Sequence, residues 1–339
     1  MAKFEHFIEK YYEPITTQEK YTTKLLDVKD PGFDCYICVS DVIWKYYPKH
    51  GLDKGFLLAS KTMRGKRKIA YAASRGPSVY PPKIEEQFQR YIRDFDHIAV
   101  REKSLQRYIE DTTGLEATHV VDPVFLQDWR FYNELAVRPQ RGKPFVLIYI
   151  VMERNTTIVT QAVEFAQQNG LDVVELGEDP DHARIPQGTY HDFVYGVGVE
   201  EWLGYLLEAD YVFTNSFHGC CLSMILSKQF FAGQRHGDKI DSLLDMFNLE
   251  WRRIGPEVSG SELRMADIDY SQVHPLVAEQ VAHSKADILT AIQRVRKDVA
   301  RSKRIEKLKK TVHTMPGWVR KAARLLRRAI RFVRRRRPH

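Results

Sequence analysis

Cysteine is scarce in this chain, with four residues in 339, at positions 35, 38, 220 and 221. Four cannot staple a chain of this size, which excludes a disulfide framework and fits a reducing compartment. Long apolar runs are lacking as well. No stretch approaches the roughly 20 consecutive apolar residues that a membrane-spanning helix needs, and the mean hydropathy is -0.42. The opening MAKFEHFIEKYYEP carries charge where a signal peptide needs its apolar centre, so the expected location is the cytoplasm. Histidine and carboxylate clusters at ligand spacing are missing, and no second Cys-x-x-Cys or His pair completes a metal site around Cys35-Tyr-Ile-Cys38. That pair reads as core packing inside a buried strand, because free cysteine behaves as a small hydrophobe. Acids are nearly missing from the last residues: 301–339 hold 16 Lys or Arg against Glu306 alone, a net of +15, so the overall +8 leaves -7 for the first 300 residues. A nucleic-acid enzyme would carry its positive charge on the folded body. An acidic body with a basic tail implies no specific nucleic-acid partner.

What the chain does contain is enough apolar surface for two cores, with 43% hydrophobic and 12% aromatic residues. After a polar, helix-like stretch over 1–30, one plan recurs four times: a short apolar strand, a polar tip, then a helix or turn. FDCYICVSD ends at Ser40-Asp41, RKIAYAASRG at Ser74-Arg75-Gly76, FDHIAVREKS at Arg101-Glu102, and ATHVVDPVFL at Asp122-Pro123. Such repetition describes a parallel α/β sheet that meets ligands at the carboxyl ends of its strands. Periodicity vanishes over 133–144, which reads as a linker, and the rhythm restarts with FVLIYIV, the helix TTIVTQAVEFAQQNG and the strand LDVVELG. The expected organisation is an α/β Rossmann-like domain over 1–135, a second over 145–300, and a basic tail over 301–339.

In YVFTNSFHGCC, a strand delivers Thr214, Asn215 and Ser216 to its tip, and Gly219 lets the chain enter the next helix closely. Free N–H groups at a helix N-terminus favour an anion, and His218 at the same point can exchange a proton near neutral pH. A helix cap with a packed histidine accounts for the same residues.

ADYVFTNSFHGCCLSMILSKQFFA resembles the signature of the polysaccharide pyruvyltransferase family, a hydrophobic strand, T-(N/D)-S-(F/R)-H-G and a small-residue helix. The resemblance extends in order to DCYICVSDVIWK, DKGFLLA, KIAYAASRG, AVREKS and VVDPVFLQDW. It implies a fold like that of the GT-B glycosyltransferases, two Rossmann-like domains facing a cleft. It also implies transfer of pyruvate from phosphoenolpyruvate to two hydroxyls of a sugar as a cyclic ketal, with no cofactor and no metal. That chemistry needs an acid-base group and cations. His218 is expected in the acid-base role or as a phosphate contact. Arg75, Arg101 and Lys239 are the candidate cations, although Arg101 can pair with Glu102. Asp41 and Asp122 can accept from the sugar or cap a turn, and Asn215 and Ser216 are expected to bind substrate.

The sequence departs from the family pattern in three ways. The usual opening strand and Gly-rich N-Y-G-A-x-L-Q turn are not found ahead of Ser40-Asp41, so the first βα unit reads as missing, through a start set too far downstream or a true loss. Val39 stands where the family has Gly, and Lys239 where an Arg is usual. In the tail PGWVRKAARLLRRAIRFVRRRRPH, Trp318, Ala322, Leu325, Leu326, Ala329 and Val333 share one helical face and Arg320, Arg324, Arg327 and Arg331 the other. Such a basic amphipathic helix over 315–339 suits an anionic membrane surface, where lipid-linked oligosaccharide acceptors are assembled. A nucleotide-sugar glycosyltransferase and a non-catalytic glycan-binding relative are the alternatives.

Overall fold

The computed structural model describes residues 2–314 except 77–78, 153–154, 178–190, 234–236 and 264–266. The basic amphipathic tail expected over 315–339 and the Pro- and His-rich loop after LDVVELG therefore lie outside the described residues. Contacts divide the chain into two units, one running to Ile288 and one from Leu289 onward.

The first unit contains two parallel sheets. Strands β1 (Cys35–Val39), β4 (Arg67–Ala73), β5 (His97–Val100) and β6 (Thr118–His119) form the first, in the order β1-β4-β5-β6, with a small antiparallel pair, β2 (Tyr46–Tyr47) and β3 (Gly51–Leu52), beside it. The second has six strands in the order β12-β11-β10-β7-β8-β9, from β7 (Phe145–Tyr149), β8 (Asp172–Gly177), β9 (Asp192–Tyr195), β10 (Tyr211–Thr214), β11 (Gln229–Gly233) and β12 (Arg253–Ile254). Helices α1 (Ala2–Phe7), α2 (Thr23–Leu26), α3 (Pro82–Ile92), α4 (Lys103–Thr113) and α5 (Trp129–Leu135) precede the second sheet. Helices α6 (Thr156–Asn169), α7 (Val199–Glu208), α8 (Phe217–Ile225), α9 (Lys239–Met246) and the 45-residue α10 (Tyr270–Thr314) follow its first strand. The α/β fold of parallel sheets read from the repeated strand-tip-helix plan is thus present. No described helix is long and apolar enough to cross a membrane.

Local chemistry explains the boundaries. In α4, Leu105, Ile109 and Thr113 make one buried stripe at helical spacing, and Gly114 closes the helix in the left-handed region at φ 69°. The Asn155 side chain accepts from Ile158 N to open α6, and Gly170 closes it at φ 66°. Strand β7, central in its sheet, is apolar on both faces as a buried parallel strand must be. Strand β1 differs from the continuous buried strand expected of it. It is an edge strand with Tyr36 and Cys38 buried while Ile37 and Val39 are 40% and 50% exposed. Cys35 and Cys38, three apart on a strand, fall on opposite faces and are free thiols.

The first part of α10 serves both cores. Val273, Val277 and Val281 pack with α7, α8 and α9 against the second sheet. Further along, Ile288 packs on Tyr71, Ala72, Ala99 and Val120 of the first sheet. There the Ser284 hydroxyl accepts from Val121 N at 3.1 Å, and His97 Nε2 lies 2.7 Å from Asp287 Oδ2. The segment 136–144 has neither helix nor strand, yet it is pinned: Val137 N donates to Glu200 O at 2.8 Å. Gly204 of α7 meets it so closely that an added Cβ would lie 1.9 Å from the Val137 carbonyl oxygen. Backbone cannot swing aside as a side chain can, so Gly204→Ala is expected to destabilise the chain by about 1–3 kcal/mol, measured as a lowered midpoint in denaturant unfolding.

Candidate active site at the strand ends

Trp44 shows what the polar tip after β1 is built on. Its indole is fully buried, edge-on to Phe88 at 5.4 Å, and its backbone N–H donates to Ser74 O at 3.0 Å. Between β1 and this anchor the chain turns through Ser40 and Asp41, both left-handed at φ 50° and 54°. Ser40 N donates to Tyr71 O at 3.0 Å and Ser74 N to Asp41 O at 3.2 Å, which locks the turn onto the end of β4. The left-handed conformation falls on these two residues and not on Val39.

That turn aims the Ser40 hydroxyl at Asp122, donating to Oδ2 at 2.6 Å. The same oxygen accepts from Arg101 Nη1 at 2.7 Å, while Oδ1 accepts from Val124 N at 3.1 Å and so caps the turn that follows β6. His218 Nε2 stands 3.7 Å from Oδ2, and its side chain is 42% exposed. Burial pushes the Asp122 carboxyl up, but His218, Arg101 and Ser40 outweigh burial and hold it well below the usual carboxylate range. A fixed anion therefore sits under the histidine.

Arg101 is only 4% exposed. Besides Asp122, its guanidinium lies 3.7 Å from Asp41 Oδ1, 3.6 Å from Glu102 Oε1 and 4.2 Å from the Phe217 ring centroid. Lys239 Nζ lies 5.9 Å from that centroid, so the Phe217 ring has both cations as neighbours. For the buried Arg101 such a cation–π contact contributes on the order of 2 kcal/mol. Arg101 Nε and Nη2 are buried without a hydrogen-bond partner among the described residues, and the buried Glu102 carboxyl has only the Ser74 hydroxyl reaching toward it.

The second sheet supplies Phe217 and His218 through the turn after β10. Thr214 Oγ1 donates to Tyr149 O at 2.6 Å and accepts from Ser216 N at 3.0 Å. Asn215 Oδ1 accepts from Val151 N at 2.9 Å and its Nδ2 donates to Val151 O at 3.3 Å, clipping the turn to the end of β7. Ser216 Oγ accepts from Gly219 N at 3.2 Å as the cap of α8. A Cβ at Gly219 would lie 2.7 Å from Thr214 Oγ1, so this close entry requires glycine.

Of the residues singled out from sequence, Asp41, Arg101, Asp122 and His218 meet in one cluster, with Lys239 joined to it across Phe217. The Asn215 and Ser216 side chains, both buried, are engaged with backbone. Arg75 donates from Nη1 and Nη2 to the two Glu85 oxygens at 3.1 and 3.2 Å, with its guanidinium 3.9 Å from the Tyr80 ring centroid. Phe217, Ser40 and Glu102 join the cluster without having been expected there; Ser40 and Glu102 are the sequence neighbours of Asp41 and Arg101, and Phe217 lies inside the FHG triplet.

Strand-end residues gathered from two parallel α/β sheets around a buried arginine–aspartate pair suit an enzyme that handles an anion. The chain belongs to the polysaccharide pyruvyl transferase family, whose model matches residues 3–232 and so takes in Asp41, Arg101, Asp122 and His218. It is a transferase by that membership. Among solved structures it is similar to the kitacinnamycin glycotransferase, at 16% identity and TM-score 0.46 over 71% of this chain and 73% of that one. It is also similar to UDP-N-acetylglucosamine 2-epimerase from Rickettsia bellii, at 11% identity and TM-score 0.40 over 71% and 72%. A glycosyltransferase of avilamycin A biosynthesis matches at 15% identity and TM-score 0.38 over 78% and 97%. No curated protein sequence matches the chain.

Asp122→Asn should remove a charge that Arg101 needs. A broken buried pair costs about 3–5 kcal/mol. Because the folded-state pKa is depressed below the unfolded value of about 3.9, the Asp122 contribution is complete above that value and is lost as pH falls from there through the folded-state pKa. Unfolding free energies of wild type and Asp122→Asn are therefore expected to differ most near neutral pH and to converge on acidification, by denaturant titration at each pH.

Proposed function

We propose that the protein transfers a pyruvyl group from phosphoenolpyruvate to two hydroxyls of a sugar in a bacterial surface polysaccharide or its lipid-linked precursor, forming a ketal and releasing phosphate. The observation that carries this reading is the grouping of His218 with the Asp122 anion and the Arg101 and Lys239 cations, in a chain of the pyruvyl transferase family. Phosphoenolpyruvate presents a carboxylate and a phosphate, and two cations beside one ring suit a ligand with two anionic groups. His218, partly exposed and backed by a carboxylate that stays ionised, can take a proton from an attacking hydroxyl and return it. Asp41, 69% exposed on its side chain, is free to accept from a sugar hydroxyl while it leans on Arg101.

The test is phosphate release from phosphoenolpyruvate by the full chain in the presence of glycan acceptors, with the ketal detected by mass spectrometry. Wild type is expected to release phosphate only with an acceptor, and His218→Ala to lose about 10²–10⁴-fold in rate without a change in melting temperature. Transfer from a nucleotide sugar with no phosphate release under any acceptor would contradict the reading.

We place the reaction at the inner membrane face, on the strength of the basic amphipathic sequence over 315–339. Removing 315–339 is expected to release the protein from phosphatidylglycerol vesicles while turnover on soluble acceptors persists. Equal vesicle sedimentation of both forms would refute the docking.

A further inference from the structure

The reaction just proposed needs a proton at carbon as well as a base at oxygen, and beside Asp41 and Asp122 the cluster contains a third carboxyl, Glu102. Glu102 occupies the N-cap position of α4, yet its side chain makes no capping hydrogen bond. It is 3% exposed, and neither oxygen is held at close hydrogen-bond geometry, the Ser74 hydroxyl being the one donor that reaches toward it. The nearest charge, Arg101 Nε, is 3.6 Å from Oε1, too far for a hydrogen bond. A carboxylate buried in that state is costly, whereas a neutral carboxylic acid is much less so. The groups acting on it come from three directions. Arg101 lies at the end of β5, Ser74 at the end of β4, and Asp238 and Lys239 at the start of α9. Burial, reinforced by Asp238, raises its pKa against the pull of Arg101, Ser74 and Lys239. Glu102 thus lies beside the Arg101 guanidinium and His218 beside the Asp122 carboxylate that pairs with it, one a buried carboxyl and the other a partly exposed imidazole.

Resting on the pyruvyl-transfer reading, we propose that Glu102 is the acid that protonates the methylene carbon of phosphoenolpyruvate. The Glu102 O–H bond breaks and a C–H bond forms with the electron pair of the carbon–carbon double bond, leaving an oxocarbenium centre at the adjacent carbon. The first sugar hydroxyl attacks that carbon and gives its proton to His218. The bond from carbon to phosphate oxygen then breaks, its electron pair leaves with phosphate, and His218 returns its proton to the phosphate. The second hydroxyl closes the ketal and gives its proton to the Glu102 carboxylate, which restores the acid. Protons balance, and no oxidant or other reactant is needed. Pairs of titratable groups held in opposite environments divide acid and base roles in this way.

Glu102→Gln keeps the shape and removes the proton. In the full chain with phosphoenolpyruvate and an acceptor, kcat is expected to fall about 10²–10⁴-fold while KM for phosphoenolpyruvate and the melting temperature stay close to wild type. The alkaline limb of the kcat/KM profile should disappear in Glu102→Gln, and Glu102→Asp should restore that limb with part of the rate. Full-rate turnover by Glu102→Gln, or a slowed enzyme that keeps its alkaline limb, overturns the assignment. A lowered melting temperature with raised KM and an unchanged limb would make Glu102 only a support for Arg101, and also overturns it. Absence of turnover by wild type would overturn the reading beneath, while turnover by wild type with an unimpaired Glu102→Gln overturns this assignment alone.

Discussion

One buried carboxylate organises the strand ends. Asp122 accepts from Ser40 after β1 and Arg101 after β5, caps the turn after β6 with its other oxygen, and stands under His218 of α8. Three loops of the first sheet and one helix of the second therefore share a single anion. Charges in a low-dielectric setting interact strongly, and a carboxyl with this many partners stays ionised. The position of the Arg101 guanidinium follows from where Asp122 is held.

Burial acts on two neighbouring carboxyls with opposite outcomes. Asp122 has an arginine and a hydroxyl at hydrogen-bond distance, and its charge is stabilised below the normal range. Glu102 has the same arginine at 3.6 Å and only the Ser74 hydroxyl reaching toward it, and burial disfavours its charge. A distance difference of less than 1 Å helps to separate a carboxyl whose charge is stabilised from one whose charge is disfavoured. Only a folded structure holds such a difference.

Much of the fold was legible in the sequence because its signals are local. Gly114 and Gly170 end α4 and α6 where the apolar spacing stops, and the run from Tyr211 to Gly219 reads directly as strand, tip and helix. Strands β9 and β11 were not read, and neither was α10, whose first turns earn their place only by packing across both cores. Strand β6 pairs over just two residues although Val120 and Val121 are both buried, so the apolar run overstates the ladder. The strand-end positions of Asp41, Arg101, Asp122 and His218, which the fold brings together, were legible. Arg75 and Arg101 look alike in sequence, each an arginine just past an apolar strand. What separates them is Glu85 on α3, which takes both prongs of Arg75, a pairing that depends on how α3 packs. Asn215 likewise looks free for substrate until β7 arrives beside it, 64 residues earlier in the chain.

In the proposed reaction Arg101, fixed by Asp122, is the centre that binds the anion. Calorimetric titration of the full-length protein and its Arg101→Met variant with phosphoenolpyruvate tests it most directly, with the melting temperature of each measured alongside. The account predicts saturable binding by wild type and a loss of at least about tenfold in affinity, roughly 1.4 kcal/mol, in a variant that remains folded. Binding of equal strength by the folded variant would contradict it.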